Sequence, residues 1–262
     1  MEQILGVDFS GARDAGQKIW LTVCIERDGA LHVKSSVPAA AQFDADSRAA
    51  CLRGVRAAIE RADVVGLDVP FGLPAAVHDR ESWTDVASLI AGIDDPETFR
   101  SRCVARASEV TGGDQQYLRR ETDADRGALS PYHWIRAAQT YYGIREVLQP
   151  LVGEDAVAIK PLHDGPATPV CETHPAATLR DIGLPTRGYK DNTDRSRGRR
   201  KTIVEGLQMT PLSMHGIEEY LLDDVGGDAI DSLLTALAAW RASRNEFSPE
   251  GAFDPVEGHI YR

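Results

Sequence analysis

The chain has 262 residues and a formal net charge of −11. This length suits one large domain, and no apolar run approaches the roughly 20 residues that cross a bilayer. The negative charge argues against tight, non-specific binding of nucleic acid, which depends on phosphate neutralisation by Lys and Arg. Because the N-terminus lacks the basic and apolar features of a secretory signal, we expect a cytoplasmic protein without a membrane partner.

Three antiparallel strands are predicted at the N-terminus. Residues 3–8 are an apolar run that ends at Asp8, and residues 19–26 alternate in part between apolar and polar side chains. Asp28-Gly29 is a two-residue hairpin signal, which connects the second strand to a third strand at 30–34.

A helix and a fourth strand follow. Apolar residues recur at helical spacing over 46–61, with Asp44 or Asp46 available as N-cap. The next apolar run, 64–67, has the character of a buried parallel strand and ends on a second carboxylate, Asp68. The order of these elements predicts an α/β fold in which an antiparallel meander precedes a parallel crossover.

Residues 78–150 are helical in pattern, and the clearest helix there is predicted over 132–151. No composition shift marks a linker on either side. We therefore interpret this block as a helical insertion or cap on a single domain that covers residues 1–262. Two short strands are predicted after it, at 157–159 and 169–172.

A basic, Gly-containing stretch covers residues 187–201, and we expect it to be an exposed loop that leads into a helix at 202–207. In an otherwise acidic chain, this stretch is the predicted phosphate-contacting surface, with Lys190 and Arg199 as candidates. A merely solvated loop is the alternative. The last strong helix, rich in Ala and Leu, is predicted over 228–243.

Several acids are expected to meet at one edge of the sheet. Three predicted strands end on Asp8, Asp68 and Glu172. Because active sites of open α/β sheets gather at the carboxyl ends of parallel strands, Asp8 and Asp68 are expected side by side. The last helix adds Asp228 and Asp231, which are three residues apart and therefore share a face.

This group of acids predicts a site for divalent metal. Carboxylates within reach of one another repel and raise each other's pKa unless a hard cation lies among them. Oxygen ligands suit Mg²⁺ or Mn²⁺, and two such ions would activate water and stabilise the leaving oxygen of a phosphodiester. We therefore expect a metal-dependent phosphodiester hydrolase that acts on nucleic acid or another phosphodiester.

The acids also have alternative roles. Asp8 is suited to capping the turn that begins at Ser10, and Asp228 is suited to capping the N-terminus of its helix. Asp231 lies one turn further into the helix and has no capping role. Glu172 either belongs to the metal site or pairs with a basic residue of the loop that follows.

Other kinds of catalytic centre find no support in the sequence. The four cysteines have no C-x-x-C spacing, so we interpret them as buried thiols rather than as zinc ligands or a disulfide framework. The seven histidines lack the H-x-x-x-H and H-E-x-x-H spacings of zinc sites. Nucleophile motifs and the P-loop motif are also missing.

Several motifs together resemble a known family: GVDFSGA, GLDVPFGLP, CETHP, Tyr189-Lys190 and GDAIDSLLTALAAW. They resemble the ribonuclease H-like predicted nucleases known as domain of unknown function 429, over nearly the whole chain. The acids are also similar to those of RuvC-type Holliday-junction resolvases, which have an Asp on the first strand, an acid closing the fourth strand and a late D-x-x-D helix.

The resemblance implies a ribonuclease H-like mixed sheet, with three antiparallel strands followed by parallel strands, flanked by helices. It also implies two-metal phosphodiester hydrolysis by the acids named above. Arg120 and Asp123 (RETD) match a recurrent pattern of the family and are candidates, with Ser10, to contact substrate. A helix-surface ion pair is the alternative for Arg120 and Asp123.

Two other functions fit parts of the pattern. Actin-like ATPases and sugar kinases also have a first strand that runs into an Asp and a Gly-containing phosphate hairpin, although they need two such domains. A non-catalytic binding protein on the same fold would keep the acids without their chemistry.

Overall fold

An eight-stranded mixed sheet organises the part of the chain that the structure describes. The structure is a computed structural model, and it describes residues 1–45, 47–165, 167–251 and 253–262. The strands are β1 Gln3–Asp8, β2 Trp20–Arg27, β3 Ala30–Pro38, β4 Val64–Asp68, β5 Val157–Lys160, β6 Thr168–Thr173, β7 Leu212–Ser213 and β8 Ile260–Tyr261.

Helices cover both faces of the sheet. They are α1 Ala15–Lys18, α2 Ala39–Phe43, α3 Arg48–Ile59, α4 Trp83–Ala91, α5 Pro96–Val110, α6 Glu121–Arg126, α7 Ala137–Gly143, α8 Gln149–Gly153, α9 Pro175–Asp181, α10 Asp194–Leu207, α11 Glu218–Asp223 and α12 Asp228–Arg244. A 3₁₀ turn covers Ala75–Val77, and a π-helical turn, Ile144–Leu148, joins α7 to α8.

The first three strands form the predicted antiparallel meander. β1 pairs with β2, and β2 pairs with β3, in antiparallel register. Asp28 and Gly29 connect β2 to β3 with φ angles of 55° and 76°. Positive φ at both central residues is the geometry of a type I′ hairpin turn, which matches the twist of the strands. The hairpin prediction is confirmed.

The other half of the sheet is parallel. The strand order is β5-β6-β4-β1-β2-β3-β7, and β8 pairs with β6. β4 lies beside β1 in parallel register, so that Asp8 is the direct partner of Asp68. The predicted mixed α/β sheet is therefore confirmed, and the carboxyl ends of β1, β4 and β6 lie along one edge.

Alternation along the strands decides which face the terminal acids take. Leu5 and Val7 of β1 pack in the hydrophobic cluster on the side of α3 and the helical block, whereas Ile4 packs in the cluster that contains α12. Successive side chains of a strand point to opposite faces, so Asp8 shares the α12 face with Ile4. The same parity places Asp68, four residues after Val64, on that face.

The helical segment between β4 and β5 shares one hydrophobic cluster with the sheet. Its helix predicted over 132–151 begins later, at Ala137. Residues 131–136 instead form turns, held by bonds from His133 N to Ser130 O at 3.0 Å and from Arg136 N to His133 O at 2.7 Å. Bonds between residues three apart close tight turns that do not continue as an α-helix.

The helix predicted over 46–61 is capped by Ser47 and not by either of the predicted N-cap residues. α3 begins at Arg48, and the Ser47 hydroxyl accepts a hydrogen bond from Ala50 N at 3.3 Å. Ser is a good N-cap because its short side chain reaches the unpaired N–H groups of the first turn. Asp44 instead ends α2 in the left-handed region, at φ 48°, and Asp46 lies outside the described residues.

The basic stretch 187–201 is only in part the predicted exposed loop. α10 begins at Asp194, capped by the Thr193 hydroxyl, which accepts from Ser196 N at 3.2 Å. Arg200 of this helix is buried and donates to the carbonyl oxygens of Tyr189 at 2.7 Å and Asp191 at 3.0 Å. These bonds fix the backbone on both sides of Lys190.

Two further predictions concern the chain as a whole. The four cysteines are buried thiols, as predicted. Among the helices of the described residues, we find no segment with the length and apolar character of a membrane span.

Candidate functional site

Two carboxylates stand next to each other where β1 and β4 end. Asp8 and Asp68 are register partners, and their side chains are nearly buried, with 8% and 7% of their surface exposed. The chain leaves the sheet after each of them, through the turn at Ser10 and through Pro70. The sequence therefore brings these two acids together as predicted.

Helix α12 supplies two more acids from the facing layer. Asp231 is buried, and Asp228 is half-buried at the first position of the helix. Asp228 is not the N-cap that the sequence allowed. Gly227 holds that position at φ 72°, and the Asp224 carboxylate accepts from Ala229 N at 2.8 Å. The Asp228 carboxylate therefore has no capping role and remains near the other acids.

Asp231 is held by the dipeptide Tyr189-Lys190. The Tyr189 hydroxyl donates to Asp231 Oδ1 at 2.6 Å, and the Lys190 ammonium forms a close ion pair with Oδ2. Gly227 makes room for this contact, since a Cβ there would lie 2.9 Å from the Tyr189 ring. The Lys190 side chain is 45% exposed, so that its cation lies between the acids and the solvent.

Asp68 has a second pair of partners. Arg136 Nη1 lies 3.6 Å from Asp68 Oδ1, and His174 Nδ1 lies 3.9 Å from the same oxygen. Arg136 Nη2 and His174 Nδ1 are 3.3 Å apart. These distances are too long for hydrogen bonds to the carboxylate, and the buried Oδ1 atom has no hydrogen-bond partner in the described part of the chain.

The acids differ in how their charge is stabilised. Burial, followed by the nearby carboxylate of Asp231, raises the pKa of Asp8 well above its ordinary value. Burial also raises the pKa of Asp231 and of Asp228, against the opposing effect of Lys190. Asp68 is the exception, because Arg136 and then His174 outweigh burial and lower its pKa.

The charge of the site is therefore not balanced within the protein. Four carboxylates face three permanent cations: Lys190 at Asp231, Arg136 at Asp68, and Lys18, whose Nζ lies 3.9 Å from Asp228 Oδ2. Asp8 is almost fully buried, and the buried Oδ1 atom of its neighbour Asp68 has no hydrogen-bond partner among the described residues. A buried carboxylate without a donor is costly, so this part of the site has the chemistry of a cation-binding position.

A cavity of about 330 Å³ opens beside these acids. Its walls combine acids and bases: Asp68, Asp231, Arg136, His174, Arg187 and Lys190. Tyr189, Pro175 and Ala176 add an apolar portion. A cavity of this size is at the lower end of the range for small-molecule sites.

The donor set suits a hard divalent ion, although the carboxylates are not assembled around one position. The oxygen atoms of Asp8, Asp68, Asp231 and Asp228 are the kind of ligand that Mg²⁺ and Mn²⁺ prefer. In the described ranges, no group of three or more His, Cys, Asp or Glu side chains is arranged to hold a metal ion. The ammonium of Lys190 lies on Asp231, where such an ion would bind.

Glu172 does not join this cluster, which corrects the sequence prediction. Its carboxylate forms a two-pronged ion pair with Arg120, with Nη1 at 2.7 Å from Oε2, and it accepts from Phe71 N at 2.8 Å. Arg120 also binds Asp123, with Nη2 at 2.7 Å from Oδ1. All three charged side chains are buried.

Arg120 and Asp123 therefore do form the ion pair that was the alternative interpretation of the RETD motif, but the pair is buried rather than on the helix surface. Neither residue lines the cavity beside the acids. Burial raises the pKa of Glu172, and Arg120 opposes this rise. Arg120 also donates to the carbonyl oxygen of Glu257 at 3.0 Å. The three residues thus form a buried polar junction between α6, β6 and the C-terminal segment.

The other two substrate candidates lie outside the cavity of the acids. Ser10 Oγ accepts from Ala12 N at 3.2 Å and lines a neighbouring cavity of about 260 Å³ together with Ile135 and Gln139. Arg199 donates to the carbonyl oxygen of Arg187 and so supports the loop before α10. Of the basic stretch, Lys190 and Arg187 line the cavity of the acids.

Sequence reasoning missed Arg136 and His174. His174 directly follows β6, so the rule that functional residues gather at the carboxyl ends of parallel strands would have identified it. No comparable signal existed for Arg136, which lies in a turn that the periodicity assigned to a helix. Tyr189 and His174 were noted only as parts of family motifs, without a role of their own.

Comparison with known proteins finds a family match over part of the chain. Residues 145–252 match the family described as "Protein of unknown function (DUF429)", which confirms the resemblance over that part of the chain. No curated protein and no solved structure matches the chain. The matched range contains Lys190, Asp228 and Asp231, whereas Asp8 and Asp68 lie outside it.

Proposed function

We propose that this chain, with its match to the DUF429 family, is a Mg²⁺- or Mn²⁺-dependent phosphodiester hydrolase, a nuclease-like enzyme of ribonuclease H-like fold. One observation carries the proposal. Asp8 is buried beside Asp68, whose buried Oδ1 atom has no hydrogen-bond partner among the described residues, and burial followed by the carboxylate of Asp231 raises the pKa of Asp8. A cation among these acids would remove the cost of their mutual repulsion.

The sheet supports the proposed fold class. An antiparallel meander of β1, β2 and β3 is continued on the other side of β1 by the parallel strands β4, β6 and β5. This arrangement is the one that the family resemblance implies, and it sets the acids of β1 and β4 against the start of α12.

In this proposal Asp8, Asp68 and Asp231 are the principal metal ligands, and Asp228 completes the set. A bound ion would supply Lewis-acid stabilisation of charge on the phosphate and on the attacking water. Glu172, which the sequence also suggested, is excluded because its carboxylate is committed to Arg120.

The protein's own cations are proposed to bind the substrate phosphate. Arg136, Arg187 and Lys190 line the cavity beside the acids, and the Lys190 side chain is exposed enough to turn from Asp231 toward a phosphate oxygen. Arg guanidinium and Lys ammonium groups are the usual hydrogen-bond donors to phosphate oxygens in proteins. Tyr189 keeps Asp231 oriented when Lys190 leaves, because its hydroxyl holds the other carboxylate oxygen.

The proposal is tested with Asp8→Asn and Asp231→Asn, measured as Mn²⁺-dependent cleavage of single-stranded and duplex oligonucleotides. Asp28→Asn is the matched control, because Asn-Gly is an equally good hairpin signal and Asp28 is exposed. We expect both site variants to fall to background while Asp28→Asn cleaves like the parent. Cleavage at the parental rate by both site variants would overturn the assignment.

Metal binding provides an independent measurement. A ligand that binds only the native state stabilises it by mass action, by about 2.7 kcal/mol at a concentration of one hundred times Kd. We expect Mn²⁺ to raise the Tm of the parent and to raise that of Asp8→Asn and Asp231→Asn much less. An unchanged Tm of the parent would favour the non-catalytic alternative, and stoichiometric ATP binding in calorimetry would favour the actin-like one.

A further inference from the structure

Two large apolar side chains are exposed next to each other in the turn before α7. Trp134 is 67% exposed and Ile135 is 58% exposed. The other three tryptophans are at most 8% exposed. Single exposed apolar residues are common on soluble proteins, whereas an exposed apolar patch, such as an adjacent Trp and Ile, is typical of a binding site.

This patch borders the candidate site. Trp134 and Arg136 are two residues apart, so their Cα atoms are separated by at most about 7 Å, and Arg136 Nη1 lies 3.6 Å from Asp68. Ile135 lines the cavity that contains Ser10 and Gln139. The Gln139 amide donates to the carbonyl oxygens of Asp68 and of Phe9, which links the two cavities.

The turn that carries the patch is firmly held. The His133 ring contacts Tyr117 on one side, with ring centroids 4.8 Å apart, and Trp134 on the other, at 5.7 Å. His133 N and Arg136 N both donate to backbone carbonyls within the turn. An aromatic side chain on an ordered turn loses little conformational freedom when it binds a flat ligand.

The charged side chains of the neighbouring cavity indicate the chemistry of the ligand that binds the patch. Arg136, Arg187 and Lys190 line the cavity of the acids, and the Arg187 side chain has no ion pair among the described residues. The chain as a whole carries a net charge of −11, so its general surface repels a polyanion. Phosphate attraction concentrated beside an aromatic side chain is the pattern of a site for unpaired nucleotides.

We propose that Trp134 and Ile135 form a stacking platform for an unpaired nucleobase, whose phosphate is bound by Arg136, Arg187 and Lys190. This inference rests on the proposed function and narrows its substrate to single-stranded nucleic acid or a frayed end. In an intact duplex the faces of the bases are already stacked on their neighbours, so that Trp134 has no face to contact.

The four tryptophans give a direct measurement, because Trp134 is the one that is exposed. We would titrate the protein with a phosphorothioate oligothymidylate, which resists cleavage, once with Mn²⁺ and once with EDTA. Stacking of a base on Trp134 is expected to quench intrinsic fluorescence. Affinities of the variants would be measured by the anisotropy of a labelled oligothymidylate, and a duplex of the same length would serve as competitor.

Trp134→Ala is expected to weaken binding about tenfold, which corresponds to the usual contribution of one stacked base. Trp134→Phe retains an aromatic face and should recover most of this affinity. Met209→Ala is the matched control, since Met209 is an exposed apolar side chain on another segment, 88% exposed. Thermal unfolding of each variant would verify that the fold is unchanged.

Several outcomes would overturn the platform. The first two are that the parent does not bind the oligothymidylate and that Trp134→Ala binds it as tightly as the parent. The third is that duplex binds at least as tightly as the single strand. The fourth is that the parent self-associates and that Trp134→Ala abolishes this self-association. The last result would assign the patch to a second copy of the chain. Binding of oligonucleotides without any cleavage would support the platform and refute the hydrolase activity. Cleavage at the same rate by Trp134→Ala and the parent would support the hydrolase activity and refute the platform.

Discussion

Gly6 of β1 lies directly opposite Gly66 of β4, and helix α12 crosses both at backbone contact distance. A Cβ at Gly6 would lie 2.1 Å from the carbonyl oxygen of Ser232, and one at Gly66 would lie 2.4 Å from that of Thr235. Each glycine is two residues before a terminal acid of its strand. The paired glycines therefore let the start of α12 approach the ends of β1 and β4, where the carboxylates lie.

Gly6→Ala is expected to destabilise the protein and to loosen the acidic site. The added methyl group overlaps the helix backbone, which cannot move aside as a flexible side chain would. We expect a loss of at least about 1–3 kcal/mol in the free energy of unfolding, the usual cost of overpacking. The measurement is urea unfolding, together with the Tm increase on Mn²⁺ addition, which should shrink.

Gly198→Ala is the control for this prediction. Gly198 lies inside α10 with open space around its Cβ position, so alanine there should be neutral or stabilising by about 0.5–1 kcal/mol. Equal effects of the two substitutions would show that the close approach of α12 does not limit the packing.

Lys190→Met is expected to lower stability when divalent metal is absent. Burial lowers the pKa of Lys190, but the carboxylates of Asp231 and Asp8 outweigh burial and raise this pKa. The ammonium is therefore charged at neutral pH and offsets the repulsion between the carboxylates. Because this side chain is 45% exposed, we expect a loss of only about 1–2 kcal/mol. The measurement is the Tm in EDTA, with exposed Lys34→Met as control.

Addition of Mn²⁺ should then stabilise Lys190→Met more than it stabilises the parent, because the metal no longer competes with the ammonium. A variant that is as stable as the parent in EDTA would contradict the role of Lys190 as the resident cation of the site.

His259 is expected to make stability depend on pH. Burial, followed by the charge of Arg126, lowers the pKa of His259 from 6.5 to about 4. Between these values the unfolded chain binds a proton that the folded protein does not, so the free energy of unfolding falls as the pH decreases through this window. The loss attributable to this group is up to about 3 kcal/mol.

The measurement is the urea midpoint between pH 7 and pH 4, in the parent and in His259→Gln. The glutamine variant should show a smaller decrease toward acid pH, while His215→Gln, at an exposed position, should follow the parent. If the difference between parent and His259→Gln is the same at every pH, the buried neutral state of His259 is not the cause.

Arg120→Met is expected to be strongly destabilising without altering the acidic site. The substitution leaves Asp123 and Glu172 buried without their cation. Loss of one partner of a buried ion pair typically costs about 3–5 kcal/mol. The measurement is urea unfolding, and Arg106→Met, which breaks an exposed pair with Glu109, should change stability by less than about 1 kcal/mol.

Adding Glu172→Gln and Asp123→Asn to Arg120→Met should recover part of the lost stability, because no uncompensated charge then remains buried. If the triple variant is no more stable than Arg120→Met, packing rather than charge dominates this junction.

The strands and their acids were predictable because both depend on local signals. The apolar runs before Asp8 and Asp68, and the turn residues that follow them, define strands and their ends without reference to the rest of the chain. Parallel pairing of β1 with β4 then follows from the crossover through α3. The same reasoning supplied Asp228 and Asp231 from their spacing on α12.

The partners of these acids were not predictable in the same way. Glu172 ends a strand just as Asp68 does, yet it binds Arg120, which lies 52 residues away in the helical block. Arg136 reaches Asp68 from a turn that has helical periodicity in sequence. Contacts of this kind depend on how a distant segment packs against the sheet, which neither spacing nor composition encodes.

The bonds from Arg200 to the carbonyl oxygens of Tyr189 and Asp191 fix the backbone around Lys190, while the Lys190 side chain itself is partly in solvent. Departure of the ammonium from Asp231 therefore requires only rotation about side-chain bonds. Such rotations take picoseconds to nanoseconds in exposed residues, whereas loop motions take nanoseconds to microseconds. Exchange of one cation for another at Asp231 is thus a rapid local event that leaves the main chain in place.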